Sequence, residues 1–142
     1  MPLQVPQIYY ARASVLALNA AGFTTGLVID IGHTLTTITP IYEGFAVTNS
    51  TRKLHLAGYD ITEQLARLLA ASTGINFSSQ AGTEMIKQVK EKLAYVASNP
   101  EEEEKKFANP SALRHLQKQF KLPDDTVITI GEEMWRCCEI LF

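Results

Sequence analysis

Residues 26–40, GLVIDIGHTLTTITP, constrain this chain more than any other stretch. An apolar run from Gly26 ends in the carboxylate of Asp30, and a second run, residues 35–41, is rich in β-branched side chains. Branching at Cβ stiffens χ1 and suits a pleated surface, so both runs predict strands. The link Ile31–Gly32–His33–Thr34 predicts a hairpin turn, with Gly32 supplying backbone angles that other residues avoid. A carboxylate beside a glycine at a hairpin tip is a place for a phosphate and its metal. An ordinary hairpin with a polar tip accounts for the same residues.

Composition narrows the class. The chain has 142 residues, about one domain, and 46% hydrophobic residues, enough for a core. Thirteen basic and fifteen acidic residues leave a formal charge of −2. No basic stripe interleaved with aromatics is present, which argues against direct nucleic-acid binding. No run of 18 apolar residues and no signal-peptide pattern implicates a membrane. Cys137 and Cys138 are the only cysteines; neighbours in sequence rarely reach disulfide geometry without strain, and no cysteine zinc site can be built. That usage suits a reduced cytosolic or nuclear compartment. His33, His55 and His115 show no metal-ligand spacing.

Along the chain, residues 1–6 carry two prolines and predict no regular element. Residues 7–21 show helical spacing through Ile8, Ala11, Val15 and Leu18, with Gly22 as a stop. Residues 45–47 and 51–56 read as short strands around an Asn49–Ser50 break, and Gly58 ends the strand run. A helix over 61–71 presents Ile61, Leu65, Leu68 and Leu69 on one face, with Asp60 complementing its positive end. The longest helix is expected over 79–97, with Met85, Val89, Leu93 and Val96 buried and its charges largely off that stripe. The charged run 99–108 reads as an exposed loop or frayed turn. Asn109–Pro110 opens a helix to about Phe120, residues 122–125 form a turn, and 126–130 a strand.

Taken together, several segments resemble actin and the actin-related proteins. TTGLVIDIG at 24–32 is similar to that family's second phosphate hairpin, and PIYEGFAV at 40–47 to the strand-turn-strand after it. LAGYDIT at 56–62 resembles the start of its inserted helical subdomain. VKEKLAYVA at 89–97, LPDDTVITIG at 122–131 and WRCCEILF at 135–142 continue in the same order. Even without the last of these, five collinear segments are far more specific than any one alone. The resemblance covers residues 5–142 and implies an α/β chain: a partial actin-fold, ribonuclease H-like nucleotide-binding domain with an inserted helical subdomain. Residues 1–55 would begin the second actin-like domain, 56–131 would form the insertion, and 132–142 would return to that domain. An internal fragment of a divergent actin-like protein is the expectation.

The resemblance also implies a site. Asp30 would hold a divalent ion through water, and Gly32 would let the backbone approach phosphate. His33 and Thr34 stand where the family's tip has a second carboxylate and a glycine. Gly58, Lys87, Lys90 and Glu91 would line the ribose and adenine side, while Asp60 is structural. The cofactor implied is ATP with magnesium or calcium in the full-length protein, weak or absent in this fragment. Ala13 stands where the family's water-positioning glutamine is expected, and Thr37 where its proton-handling histidine is expected. No catalytic residue is therefore assigned, because hydrolysis needs an oriented, deprotonated water. His33 faces the sugar side and reads as a polar substitution. These substitutions favour a structural or assembly subunit of a multiprotein complex, cytoplasmic (cytoskeletal) or nuclear, with little or no hydrolysis. The alternative is a filament-forming actin with ATP-coupled polymerisation. A sugar kinase or chaperone ATPase on the same fold is disfavoured by PIYEG and LAGYD.

Overall fold

The computed structural model describes residues 6–122 and 125–142, except the side chains of 110 and 111. The expected irregular start lies mostly outside these residues, as does the centre of the turn at 122–125. The chain divides into two compact units, Met1–Ala57 and Gly58–Phe142.

The first unit begins with helix α1, Ala13–Ala20, shorter than the periodicity predicts. Arg12 at its N-cap makes no side-chain cap bond, so nothing carries the helix back through the exposed Tyr9 and Tyr10. Its end is as expected: Gly22 has φ +84°, and Phe23 N–H donates to Leu18 O. Strand β1, Gly26–Ile31, and strand β2, Thr36–Tyr42, form the hairpin. Strand β3, Phe45–Ala46, and strand β4, Arg52–Leu54, share the other edge of β2. A 3-10 turn, Thr48–Ser50, occupies the expected break. Glu43 and Gly44 both have positive φ, which lets a two-residue turn follow the strand twist between β2 and β3.

Side-chain alternation sorts the sheet into two faces. Leu18 of α1 lies over Gly26; a Cβ there would sit 3.2 Å from Leu18 Cδ1. Val28, Thr37, Thr39 and Ile41 share the Gly26 face by register, and Thr39 and Ile41 are buried. On the opposite face Leu27, Ile29 and Ile31 are 60%, 58% and 52% exposed.

The second unit opens with helix α2, Gly58–Thr73, so Gly58 starts a helix rather than ending the strand run. Helix α3, Gln80–Leu93, is capped by Ser79, whose Oγ accepts from Gly82 N–H at 3.0 Å. It stops four residues short of expectation. Val96 lies outside it and is exposed, Met85 and Leu93 are half-buried, and Ile86 and Val89 are buried.

Helix α4, Pro100–Ala108, replaces the loop expected over 99–108. The composition taken for solvation is dipole-matched. Asn99 Oδ1 accepts from Glu101 N–H, Pro100 leads, glutamates fill the first turn and Lys105 and Lys106 the last, and Phe107 is buried. Helix α5 covers only Pro110–Leu116. Residues expected to continue it instead form strand β5, Lys118–Lys121, antiparallel to strand β6, Val127–Ile130. Helix α6, Glu133–Arg136, and a 3-10 turn, Glu139–Leu141, follow. One core unites these pieces: Leu65, Leu69, Phe77, Ile86, Val89, Phe107, Leu122, Ile128, Ile130, Met134, Trp135, Cys137 and Cys138. Each large apolar side chain buried there contributes about 1.5–3 kcal/mol.

Candidate functional site

Six consecutive pairs, from Gly26↔Ile41 to Ile31↔Thr36, fix the hairpin register. Asp30 is thereby the direct cross-strand partner of Thr37, and both side chains leave the same face of the sheet. Asp30 is exposed and Thr37 half-buried. Gly32 N–H donates to Leu35 O at 3.0 Å, leaving His33 and Thr34, both exposed, as the tip. Gly32 is not among the glycines with positive φ, contrary to the expectation from hairpin chemistry. Its need for a bare Cα is steric: a Cβ would lie 3.0 Å from Leu35 O. The turn itself therefore requires this glycine, whatever approaches from outside. Behind the tip, Thr36 Oγ1 donates to Leu56 O at 2.6 Å and pins the base of β2.

Within the second unit the structure brings Gly58 and Lys90 together. Lys90 Nζ donates to Gly58 O at 2.8 Å across 32 residues of sequence. The same carbonyl accepts Thr62 Oγ1 at 3.0 Å. Lys90 thus fastens α3 to the first turn of α2, a role that sequence periodicity did not reveal. Thr62, buried, was also not singled out, although its place four residues after Gly58 is the signal for this back-bond. Lys87 pairs with Glu84 at 3.8 Å, and Glu91 is exposed one turn further along α3. Asp60 lies in the first turn of α2, where a carboxylate complements the helix dipole.

A groove of about 340 Å³ lies in this unit, lined by Tyr59, Thr62, Glu63, Arg67, Phe77 and Thr83 among others. Gly58, Lys87, Lys90 and Glu91 do not line it. Among the described residues no three His, Cys, Asp or Glu side chains gather into a metal cage. Nor is any described helix long and apolar enough to cross a membrane.

Charge is organised elsewhere. Tyr95 OH donates to Glu103 Oε2 at 3.1 Å, and Lys106 Nζ lies 2.7 Å from Glu103 Oε1. The lysine hydrogen bond holds Glu103 below the usual carboxylate range, and Glu103 in turn raises Lys106. Burial, then the bond to Glu103, pushes the Tyr95 phenol up to about 12. Burial and the neighbouring Cys138 push the Cys137 thiol to about 12 as well.

Sequence comparison supplies the class. The sequence model of the family described as actin matches residues 2–142. A Dictyostelium discoideum protein described as putative actin-29 is 36% identical over 137 residues, which are 96% of this chain and 35% of that relative. The chain belongs to the actin family. Its mixed helix-and-strand architecture is accordingly a partial actin fold, spanning 35% of the length of that relative.

Proposed function

We propose that this chain is part of an actin-related protein acting as a structural or assembly subunit, one that holds nucleotide with little or no hydrolysis. The observation that carries the reading is the pairing of Asp30 with Thr37. The carboxylate expected to hold a metal's water is retained, while its cross-strand neighbour has no imidazole to handle a proton. Ala13, exposed at the start of α1, offers no amide to orient a water.

ATP with magnesium or calcium is the cofactor proposed for the full-length protein, where it would supply the phosphates and most of the ion's ligands. An exposed Asp30 fits contact through water, since it reaches solvent and no protein cage surrounds it among the described residues. On this proposal Asp30, Gly32 and Thr34 serve the phosphate side, His33 the sugar, and Gly58, Lys87, Lys90 and Glu91 the ribose and adenine side. Residues 1–55, 56–131 and 132–142 would correspond to the start of the second actin-like domain, its inserted subdomain and the return to it. The partners are other actin-like subunits or a multiprotein complex, in the cytoplasm, as part of the cytoskeleton, or in the nucleus.

The test is nucleotide binding and phosphate release by the full-length protein. Tight binding with negligible release supports the proposal, and turnover at the rate of a filament-forming actin overturns it. A second reading, a filament-forming actin with ATP-coupled polymerisation, draws on the description of the Dictyostelium relative as an actin. Sedimentation of polymer that depends on ATP would favour it.

A further inference from the structure

Adjacent side chains on a helix normally leave it about 100° apart and do not face each other. Cys137 and Cys138 depart from that pattern. They follow α6 directly, are both buried, and their sulfurs approach to 3.9 Å, close to sulfur–sulfur contact. Cys137 Sγ also lies 3.5 Å from Met134 O, to which its S–H donates. Neither sulfur is joined to a third ligand: no His, Cys, Asp or Glu completes a metal cage among the described residues.

That geometry selects a ligand class. A direct disulfide would require the sulfurs to close to about 2.05 Å within a strained two-residue ring. Zinc requires about four protein ligands in a closed site. A centre that takes two sulfurs and carries its own third group meets neither obstacle. We infer that Cys137 and Cys138 form a dithiol site for a monosubstituted trivalent arsenical, bridged through one arsenic.

With an organoarsenic oxide, R–As=O, two As–S bonds form as two S–H bonds break. The oxygen leaves as water carrying both thiol protons, and no atom changes oxidation state. Both thiols start neutral, because burial raises them above their ordinary range. On this inference, reagent reaches them by opening of the 3-10 turn that follows the pair. That turn is held by Leu141 N–H to Cys138 O and Phe142 N–H to Glu139 O, and short turns of this kind open ahead of a packed core.

The test uses phenylarsine oxide with the folded 142-residue chain, followed by intact-mass spectrometry. One arsenical per chain is expected, attached with loss of one water, stable to excess glutathione and removed by 1,2-ethanedithiol. The second sulfur acts at high effective concentration, so Cys137→Ser and Cys138→Ala should each release the arsenical about 100-fold faster to glutathione. Circular dichroism confirms that each variant is folded. Because Cys137 is the more deeply buried, Cys138→Ala decides if the other variant does not fold. Equal retention by Cys138→Ala overturns the inference, as does an adduct that forms only after the native chain is unfolded in urea.

Discussion

Asp30 and Thr37 oppose each other directly across the β1–β2 hairpin, on the same face of the sheet. The carboxylate and the threonine hydroxyl are therefore direct cross-strand neighbours. Cross-strand Cβ atoms lie about 4.5–5.5 Å apart.

If the missing proton-handling and water-positioning groups are what limit turnover, restoring them should raise it. The double variant Ala13→Gln, Thr37→His in the full-length protein is expected to release phosphate about 10-fold faster or more, the low end of what positioned acid–base groups supply. Release unchanged in a variant that still binds nucleotide would remove Thr37 from the explanation.

The 142-residue chain alone should bind ATP poorly, because phosphate recognition depends on many convergent backbone donors and Gly32 N–H is already committed to Leu35 O. Calorimetry at micromolar concentration is expected to show no saturable binding. A clear isotherm would mean that this chain carries enough of a site by itself.

Gly82→Ala is predicted to destabilise the second unit by about 2 kcal/mol or more. In an open helix the change would gain about 1 kcal/mol. Here a Cβ would lie 2.6 Å from Phe77 O, a backbone atom with little room to retreat. Gly131→Ala, whose Cβ meets flexible Gln117 and Glu133 atoms at 3.6 Å, should stay within about 0.5 kcal/mol. Equal urea midpoints for the two variants would contradict this account.

Alkaline pH should weaken the second unit. The Cys137 thiol is raised from an ordinary 9.0 to about 12 in the folded chain. Above pH 9 the unfolded chain loses this proton and the folded chain keeps it, so the unfolded state binds fewer protons and stability falls as pH rises. The loss from Cys137 is at most about 1.4 kcal/mol per pH unit between pH 9 and 12. Urea unfolding at several pH values checks the slope, and Cys137→Ala should flatten it.

The exposed apolar row on β1 predicts self-association of this chain. Leu27, Ile29 and Ile31 lie in a row on β1, all more than half exposed. Apolar rows of this kind drive association. Sedimentation velocity should show concentration-dependent oligomers, and Ile29→Lys should shift them toward monomer with little change in unfolding free energy. Oligomers of equal size in the variant would place the contact elsewhere.

Much of this architecture is legible locally. The β-branched runs around Asp30 and Thr37 became the hairpin, and the stripe through Leu65 and Leu69 became α2. Gly22 stopped α1 as its position suggested. Local pattern failed where a distant partner decided the outcome. Residues 118–121 have the same neighbours in either state, but only as a strand do they satisfy their backbone groups against Val127–Ile130. The EEEEKK run reads as solvent-loving. Its helix depends on an Asn99 cap and on Phe107 reaching a core assembled from other segments.

The sequence by itself determined the family and the hairpin that presents Asp30, because those depend on residue identity and near-neighbour order. Only the tertiary structure decided that Lys90 Nζ is committed to Gly58 O and that Cys137 and Cys138 meet inside a shared core. It also revealed that Leu27, Ile29 and Ile31 of β1 are left exposed in a row. The physical reason is range. Propensity and periodicity act over a few residues, whereas these contacts form only when segments far apart in sequence pack to exclude water and satisfy one another's polar groups.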